Sequence, residues 1–271
     1  MKKSSHKIQF ILVVVALIVA GVFLYKYLAK TSLHDYPQIA QSGTLHIVTN
    51  MDAVGYYPSS DTIAGYTHDV LSAIQKYTPI KFEISLENSL DKCFEGLQSG
   101  KYDLIARNIP INANLRNKYR FSSIILYNKL VLVQRKAAFN DGKEPIRNHL
   151  ELAGKTFHIP LNSPYRIRIN NLAHEIGDSI FISEDSLYEV NQLAIMVASK
   201  DIDYTVSDIK TAEKLSAQLP ELDIATDIGF THLEGWAVRE QSPILLDSLN
   251  NWIKKFKESP EYDSIRKKYY P

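Results

Sequence analysis

The sequence has only one cysteine among its 271 residues, so it cannot form an internal disulfide bond. That residue, Cys93, shares helical spacing with Leu90, Phe94 and Leu97, which predicts a thiol packed in the core rather than a reactive one. The chain also has no marked excess of positive or negative charge, since its formal net charge is +1. The composition therefore does not indicate a nucleic acid or a strongly charged surface as a partner.

Sequence motifs for metal, nucleotide or hydrolytic chemistry are missing as well. The eight histidines show no HExxH or comparable metal spacing. No GxSxG, Walker A or GxGxxG context occurs, and the carboxylates form no recognisable acid/base pair. We therefore expect no metal, no cofactor and no enzymatic activity.

One long hydrophobic run is present at residues 8–25, interrupted only by Gln9 and preceded by lysines. A run of this length spans a bilayer. We predict that residues 1–30 form a cytoplasmic start and an uncleaved transmembrane signal anchor, and that the rest of the chain lies in the periplasm as part of a single-pass inner-membrane protein. A cleaved signal peptide is the alternative, although the region from Leu28 to Lys30 resembles a cleavage site only weakly.

The rest of the chain alternates between strand and helix patterns. Residues 31–43 lack periodicity and are predicted to be a linker. The order β-α-β-α-β that follows is typical of a mostly parallel sheet. We predict a first lobe over 44–134, a second lobe over 135–230, and a return to the first lobe over 231–271, with "KLVLVQRKA" and "IGFTHLEGWAV" as paired hinge strands.

An internal similarity supports two lobes of the same construction. The segment around Ser99 reads "LQSGKYDLIARN" and the segment around Ser199 reads "VASKDIDYTVSD", each after a helix with an apolar face. Open α/β sheets bind ligands beyond the carboxyl ends of their strands. The residues that leave these two strands are therefore expected to face each other across a shared cleft.

Two charged residues follow those strands. Arg116 lies in "INANLRNKYR", and a guanidinium in a cleft pairs with both oxygens of a carboxylate, although most loop arginines are solvated. Asp208 ends "DYTVSD", where it either contacts the cationic end of a ligand or only caps the next helix. Both residues are candidate ligand contacts.

Other candidates are uncharged. Ser163 precedes Pro164 at a predicted helix start, where backbone N–H groups either bind a carboxylate or are simply capped. Tyr57 follows the first strand and either lines the cleft or covers the core. Asn108 and Asn112 belong to the segment that leaves the first-lobe strand, so we include them in the predicted site.

With these residues in place, the chain from Leu45 to Tyr270 resembles the bacterial extracellular solute-binding proteins of family 3, the polar amino-acid binders of ABC transporters. The matching segments include "GYTHDVLSAI", "LQSGKYDLIA", "LAGKTFHIPLNS" and "SPEYDSIRKKYY". Across "DYTVSDIKTAEKLSAQLPELDIATDI" the chain is most similar to the binding domain of the membrane-bound lytic transglycosylase F family. The transglycosylase domain that normally follows is expected to be absent.

The resemblance implies an α/β, two-lobed periplasmic binding protein type 2 fold with a ligand cleft between the lobes, here preceded by one N-terminal transmembrane helix. It also implies residue roles: Arg116 and Ser163 for a ligand carboxylate, Asp208 for an ammonium group, and Tyr57 for packing on the ligand. The chain departs from the family pattern where Asn108 replaces a glycine, where Pro110 replaces a hydroxyl residue, and where one extra residue precedes Arg116. These departures leave room for a larger ligand, such as a peptide or a muropeptide fragment.

The sequence predicts a membrane-anchored binding protein that closes by hinge motion on an amino acid or a small peptide-like ligand, for ABC-type uptake through a permease. The alternative is a sensory or regulatory module that binds cell-wall fragments and reports to a cell-wall enzyme without transport. Cyclohexadienyl dehydratases resemble these binding proteins, but no set of residues in this sequence argues for an enzyme.

Overall fold

The structure is a computed structural model that describes residues 20–21 and 35–270. The predicted anchor at 8–25 lies outside the described residues except for positions 20 and 21. Among the residues that are described, no helix has both the length and the apolar character needed to cross a membrane.

The described part of the chain contains thirteen strands and nine α-helices. The strands are β1 (Thr44–Thr49), β2 (Tyr57–Ser59), β3 (Thr62–Ala64), β4 (Lys81–Leu86), β5 (Leu104–Pro110), β6 (Tyr119–Phe121), β7 (Leu126–Asn128), β8 (Leu130–Arg135), β9 (Thr156–Pro160), β10 (Phe181–Asp185), β11 (Tyr204–Asp208), β12 (Leu222–Asp227) and β13 (His232–Arg239). The helices are α1 (Tyr36–Ser42), α2 (Tyr66–Gln75), α3 (Leu90–Ser99), α4 (Ala113–Arg116), α5 (Tyr165–Ile176), α6 (Val190–Ala198), α7 (Ile209–Gln218), α8 (Pro243–Lys257) and α9 (Pro260–Tyr269).

Each lobe is built on one sheet. The first sheet has the order β4-β1-β5-β13-β6, with β7 also paired to β13, and the second has the order β10-β9-β11-β8-β12. Three strands in each sheet are parallel, and β13 and β8 run antiparallel to β5 and β11. The sheets are therefore mixed, because β8 and β13 follow the two crossings between the lobes and enter each sheet in the opposite direction.

Local sequence signals account for the helices. The sequence predicts a cap of α3 at Asn88 or Ser89 and an end at Gly100. In the structure Ser89 is the cap, since it accepts the N–H of Lys92, and Gly100 ends the helix in the left-handed conformation. Cys93 lies on the buried face of α3 and is fully buried, which confirms the predicted core thiol. Helical spacing in the sequence also predicts an apolar stripe on α8, and its members pack in the first-lobe core: Leu245, Leu246, Leu249, Trp252, Ile253 and Phe256.

The internal similarity corresponds to a repeated buried contact. In the first lobe, Arg239 of β13 donates to the carbonyls of Leu97 and Tyr102 and pairs with the Asp103 carboxylate, Nη2 to Oδ1, at 2.8 Å. Asp103 in turn accepts the N–H of His46 at 3.0 Å. One guanidinium thus joins the end of α3 to the start of β5.

The second lobe repeats this contact, and the residues that accept from its arginine lie one hundred positions after those of the first lobe. Arg135 of β8 donates to the carbonyls of Val197 and Ile202 and pairs with Asp203. The helix-ending position after α6 is Lys200, which has φ of +71°, close to the +81° of Gly100. The two segments that are similar in sequence therefore have the same local fold, and each is held by an arginine of its own lobe.

Two boundaries differ from the prediction. The predicted linker 31–43 contains α1, whose Ile39 is fully buried and whose cap Asp35 also accepts the N–H groups of Ile244 and Leu245 at the start of α8. Its single buried residue explains why no periodicity was visible. The predicted lobe boundary at 134/135 also differs, because β8 pairs with β11 and β12 and therefore belongs to the second lobe.

Candidate functional site

A cavity of about 630 Å³ lies between the two lobes, at the ends of β5 and β11. This volume falls within the range of about 300–1,000 Å³ that is usual for small-molecule sites. The lining includes charged, amide and apolar side chains from both lobes, namely Asn50, Met51, Asp52, Tyr57, Asn88, Leu90, Arg107, Asn108, Leu161, Ser163, Tyr165, Glu189, Asn191, Gln192, Ile195, Asp208, Thr211, Lys214, Leu215 and Gln218.

Asp208 both caps a helix and lines the cavity. Its Oδ1 accepts the N–H of Thr211 at 2.9 Å, so it is the N-cap of α7. It stands at the carboxyl end of β11 and is only half-buried. The two alternatives left open by the sequence are therefore compatible, since a carboxylate has a second oxygen available after capping.

Ser163 lines the same wall of the second lobe. Its Oγ accepts the N–H of Tyr165 at 3.3 Å, and Pro164 stands at the capping position of α5. The helix thus begins one residue later than the predicted start at Pro164. Because the N–H of Tyr165 already has a partner, the hydroxyl of Ser163 is the group that remains for a ligand.

Tyr57 lines the first-lobe wall beside a lysine of the second lobe. The Lys214 Nζ lies 3.5 Å from the centre of the Tyr57 ring and donates to the carbonyl of Ala53. An ammonium group over an aromatic face is a cation–π contact. Lys214 therefore crosses the cleft and lies against the aromatic surface that was predicted to contact the ligand.

The arginine in the cavity is Arg107, whereas the sequence pointed to Arg116. Arg107 belongs to β5, directly before Asn108, and both residues line the cavity. Its Nη1 donates to the carbonyl of Asn88 at 2.7 Å. This contact holds the guanidinium at the cleft, where it is half-buried.

Asn112 and Arg116 do not line the cavity. The Asn112 side chain accepts the N–H of Leu115 at 3.0 Å and caps the short helix α4, and Arg116 is exposed on the last turn of that helix. The structure thus brings together Tyr57, Asn108, Ser163 and Asp208 of the predicted site, and leaves these two residues outside. The extra residue before Arg116 and the short helix explain the difference, because they carry the strand-exit segment away from the cleft.

Asp52 is a cavity carboxylate that sequence reasoning missed. Burial raises the pKa of Asp52, although its bonds to the N–H groups of Gly55 and Val54 oppose this shift. The loop that carries it lies against the start of α2, where Gly65 has φ of +132° and a Cβ would overlap the Gly55 carbonyl. Only glycine allows this approach, so Gly65 helps to place Asp52 at the cleft.

Electrostatic interactions link the charged cavity groups. Burial raises the pKa of Glu189, and the nearby Arg107 opposes that shift. Burial also raises the pKa of Tyr165 well above its usual value, and Asp208 adds to this shift. The cavity therefore combines carboxylates and cations, an arrangement that suits a ligand with groups of both charges.

The side of the cleft where the chain crosses between the lobes contains a buried carboxylate. Glu234 of β13 accepts from Asn128 Nδ2 at 3.3 Å and contacts His232 Nε2 at 3.1 Å, both through Oε1. Its Oε2 has no hydrogen-bond partner among the described residues. Burial raises the pKa of Glu234, with His232 opposing the shift and Asp208 adding to it.

The raised pKa of Glu234 predicts a pH-dependent stability. The folded chain binds the Glu234 proton more tightly than the unfolded chain, whose glutamate has a pKa of about 4.3. The favourable contribution is complete below the unfolded pKa and is lost as the pH rises through the folded pKa. We expect Glu234→Gln to raise the melting temperature at pH 8 and to have little effect near pH 4, as measured by thermal unfolding. A difference that is constant across this pH range would contradict the prediction.

A sequence signal could have found Arg107 but not Lys214. Arg107 immediately precedes Asn108 at the end of a predicted strand, and the strand-end rule applies to both positions. Lys214 is one helical turn beyond Thr211 and one turn before Gln218, which places all three on one face of α7. Nothing in this spacing says that the face lines a cleft.

In the described residues, no cluster of His, Cys, Asp or Glu side chains is arranged to hold a metal ion.

Two α/β lobes with a cavity between them define the two-lobed periplasmic binding protein fold. The chain belongs to the bacterial extracellular solute-binding proteins, family 3, whose family model matches residues 45–271. A curated relative, the membrane-bound lytic murein transglycosylase F of Desulfosudis oleivorans, is 26% identical over 271 residues, which cover 100% of this chain and 58% of that protein. Both resemblances predicted from the sequence are confirmed, and the chain spans about half the length of the curated relatives it matches.

Solved structures show the same fold. An ancestral arginine-binding protein bound to arginine superposes with a TM-score of 0.74 at 23% identity, covering 84% of this chain and 99% of that one. An ancestral amino acid-binding protein, a precursor of cyclohexadienyl dehydratase, superposes with a TM-score of 0.71 at 23% identity, covering 87% of this chain and 99% of that one. Identities this low establish the fold alone.

Proposed function

We propose that this protein is a periplasmic solute-binding protein that closes its lobes on an amino acid or a small peptide-like ligand and serves ABC-type uptake. The observation that carries the proposal is the cavity between the lobes, which is lined by Arg107 of β5 and by Asp208 at the end of β11. A ligand with a carboxylate and an ammonium group would satisfy both charges. The similar structures that bind arginine support this class of ligand.

The proposal includes attachment to the inner membrane. The hydrophobic run at 8–25 is long enough for one span, and the lysines before it favour a cytoplasmic N-terminus. The binding lobes would then lie on the periplasmic side, where an ABC permease or a cell-wall enzyme is accessible to them.

A second candidate is a sensory module for cell-wall fragments. Two observations favour it: the similarity to membrane-bound lytic murein transglycosylase F, and a cavity of about 630 Å³ that is lined by amide side chains as well as charged ones. Amide side chains on the cavity wall, such as Asn88, Asn191 and Gln192, suit the backbone of a peptide. The described cavity contains no recognised catalytic set, so we propose binding rather than an enzymatic reaction.

The function is tested on protein purified from carbonate-washed membranes under native conditions. We expect the chain to remain in these membranes, and native mass spectrometry to detect a retained amino acid or peptide. Adding that ligand to emptied protein should reduce the radius of gyration measured by small-angle scattering, because the lobes close on the site. A single amino acid favours uptake, and a muropeptide favours sensing. Scattering that does not change at saturating ligand would contradict closure, and a processed N-terminus in the periplasmic fraction would contradict the anchor.

A further inference from the structure

Two side chains of the second lobe bond directly to the first lobe. Lys214 of α7 donates to the carbonyl of Ala53 and lies over the Tyr57 ring at 3.5 Å. Asn162, in the turn after β9, donates to the carboxylate of Asp91 in the first turn of α3. Both contacts join protein groups to protein groups, so they can hold the lobes together without a ligand.

The contact of Lys214 depends on its position in α7. Lys210, one turn earlier on the same helix, pairs with Glu213 at 2.7 Å and does not leave its own helix. Lys214 faces the cavity, where it reaches across to the first lobe. Two partners act on the one ammonium group, since the ring face attracts the charge and the Ala53 carbonyl accepts a hydrogen bond.

The first-lobe partners are held by their own surroundings. Ala53 lies in the loop that Asp52 stabilises through its bonds to Val54 and Gly55. Tyr57 begins the β2–β3 hairpin directly after this loop. A lysine that bonds to this segment therefore bonds to a defined part of the first lobe. Its loss should change the distance between the lobes.

We propose that Lys214 is an interlobe latch, which holds a fraction of the ligand-free protein closed by binding the Tyr57 ring and the Ala53 carbonyl. The inference rests on the proposed function only in that the lobes move about their two crossing segments. It extends that function, because a ligand that packs on Tyr57 must share the ring with Lys214 or displace it. Closure would then be partly complete before any ligand enters.

The test measures the distance between the lobes in the full chain, solubilised in detergent and freed of ligand. Spin labels are attached at Asp61→Cys on the β2–β3 turn and Ala217→Cys on α7, two exposed positions on opposite lobes. Cys93 is fully buried and does not compete for the label. Pulsed electron–electron double resonance then gives the distribution of distances between the two spin labels. The closed and open forms appear in it as separate populations.

We expect the ligand-free protein with Lys214 present to show both a closed and an open population, and added ligand to convert open molecules to closed ones. Lys214→Met keeps the side-chain length but removes the charge, and should raise the ratio of open to closed molecules by roughly fivefold or more. Tyr57→Leu should have a similar effect because it removes the ring. Lys214→Arg should keep the closed population, and Lys210→Met serves as the matched control that should change nothing.

Distances in Lys214→Met that match those of the unsubstituted protein would overturn the latch, as would the absence of a closed population with Lys214 intact. Equal opening in Lys210→Met would also overturn it, since the effect would then come from lost charge on α7. These results are independent of the proposed ligand. If Lys214→Met opens the lobes but no amino acid or peptide binds, the latch stands and the proposed function fails.

Discussion

Arg239→Met is expected to lower the free energy of unfolding by about 3–5 kcal/mol. The guanidinium is buried, and it pairs with Asp103 while donating to the carbonyls of Leu97 and Tyr102. Removing it takes this cation away from the buried Asp103 carboxylate and takes one donor away from each of the two carbonyls. An unpaired buried charge costs far more than the pair itself contributes.

The second lobe provides a matched comparison for this prediction. Arg135 makes the corresponding three bonds and also donates to Asn140, but its partner Asp203 has a side chain that is 66% exposed, against 1% for Asp103. After Arg135→Met, water can solvate the Asp203 carboxylate, so the loss should be smaller. Urea unfolding followed by circular dichroism measures both variants. Equal losses in the two lobes would contradict the explanation by burial, and Arg239→Met combined with Asp103→Leu should recover part of the stability.

Asp208→Asn is expected to weaken ligand binding at least tenfold and to change the melting temperature little. Asparagine caps a helix about as well as aspartate, so the bond to the N–H of Thr211 is kept. The substitution removes the negative charge that faces the cationic end of the ligand. Hydrogen bonds to charged groups contribute about 1.5–3 kcal/mol, so the binding free energy should fall by a similar amount. Calorimetric titration with the ligand retained from cells, or with L-arginine as a first probe, measures the change.

Three further variants separate the roles at this site. Asp208→Ala should weaken binding and also lower stability by about 1 kcal/mol, since it removes the cap as well as the charge. Arg107→Ala should weaken binding because it removes the cavity guanidinium. Arg116→Ala should leave affinity unchanged, because this exposed arginine does not line the cavity. Unchanged affinity in both Asp208→Asn and Arg107→Ala would overturn the site, and a loss only in Arg116→Ala would restore the assignment made from the sequence.

The sequence by itself determined the family, the two lobes and several local structures. Short-range signals were sufficient for these: the cap at Ser89, the glycine end at Gly100, the buried face around Cys93 and the apolar stripe of α8. The similarity between "LQSGKYD" and "VASKDID" also corresponds to a real structural repeat. Such features depend on residues close together in the chain, so their patterns are visible without the fold.

Tertiary structure alone decided which charged residues meet in the cleft. Arg107 lies within β5 and Arg116 lies in the short helix α4 that follows it, and only the path of the chain places one in the cavity and the other in solvent. Lys214 and Tyr57 are 157 positions apart, yet they contact each other across the lobes. A contact between such distant segments depends on the relative placement of two sheets. Helical spacing and residue type do not contain this information, because they describe only the neighbours along the chain.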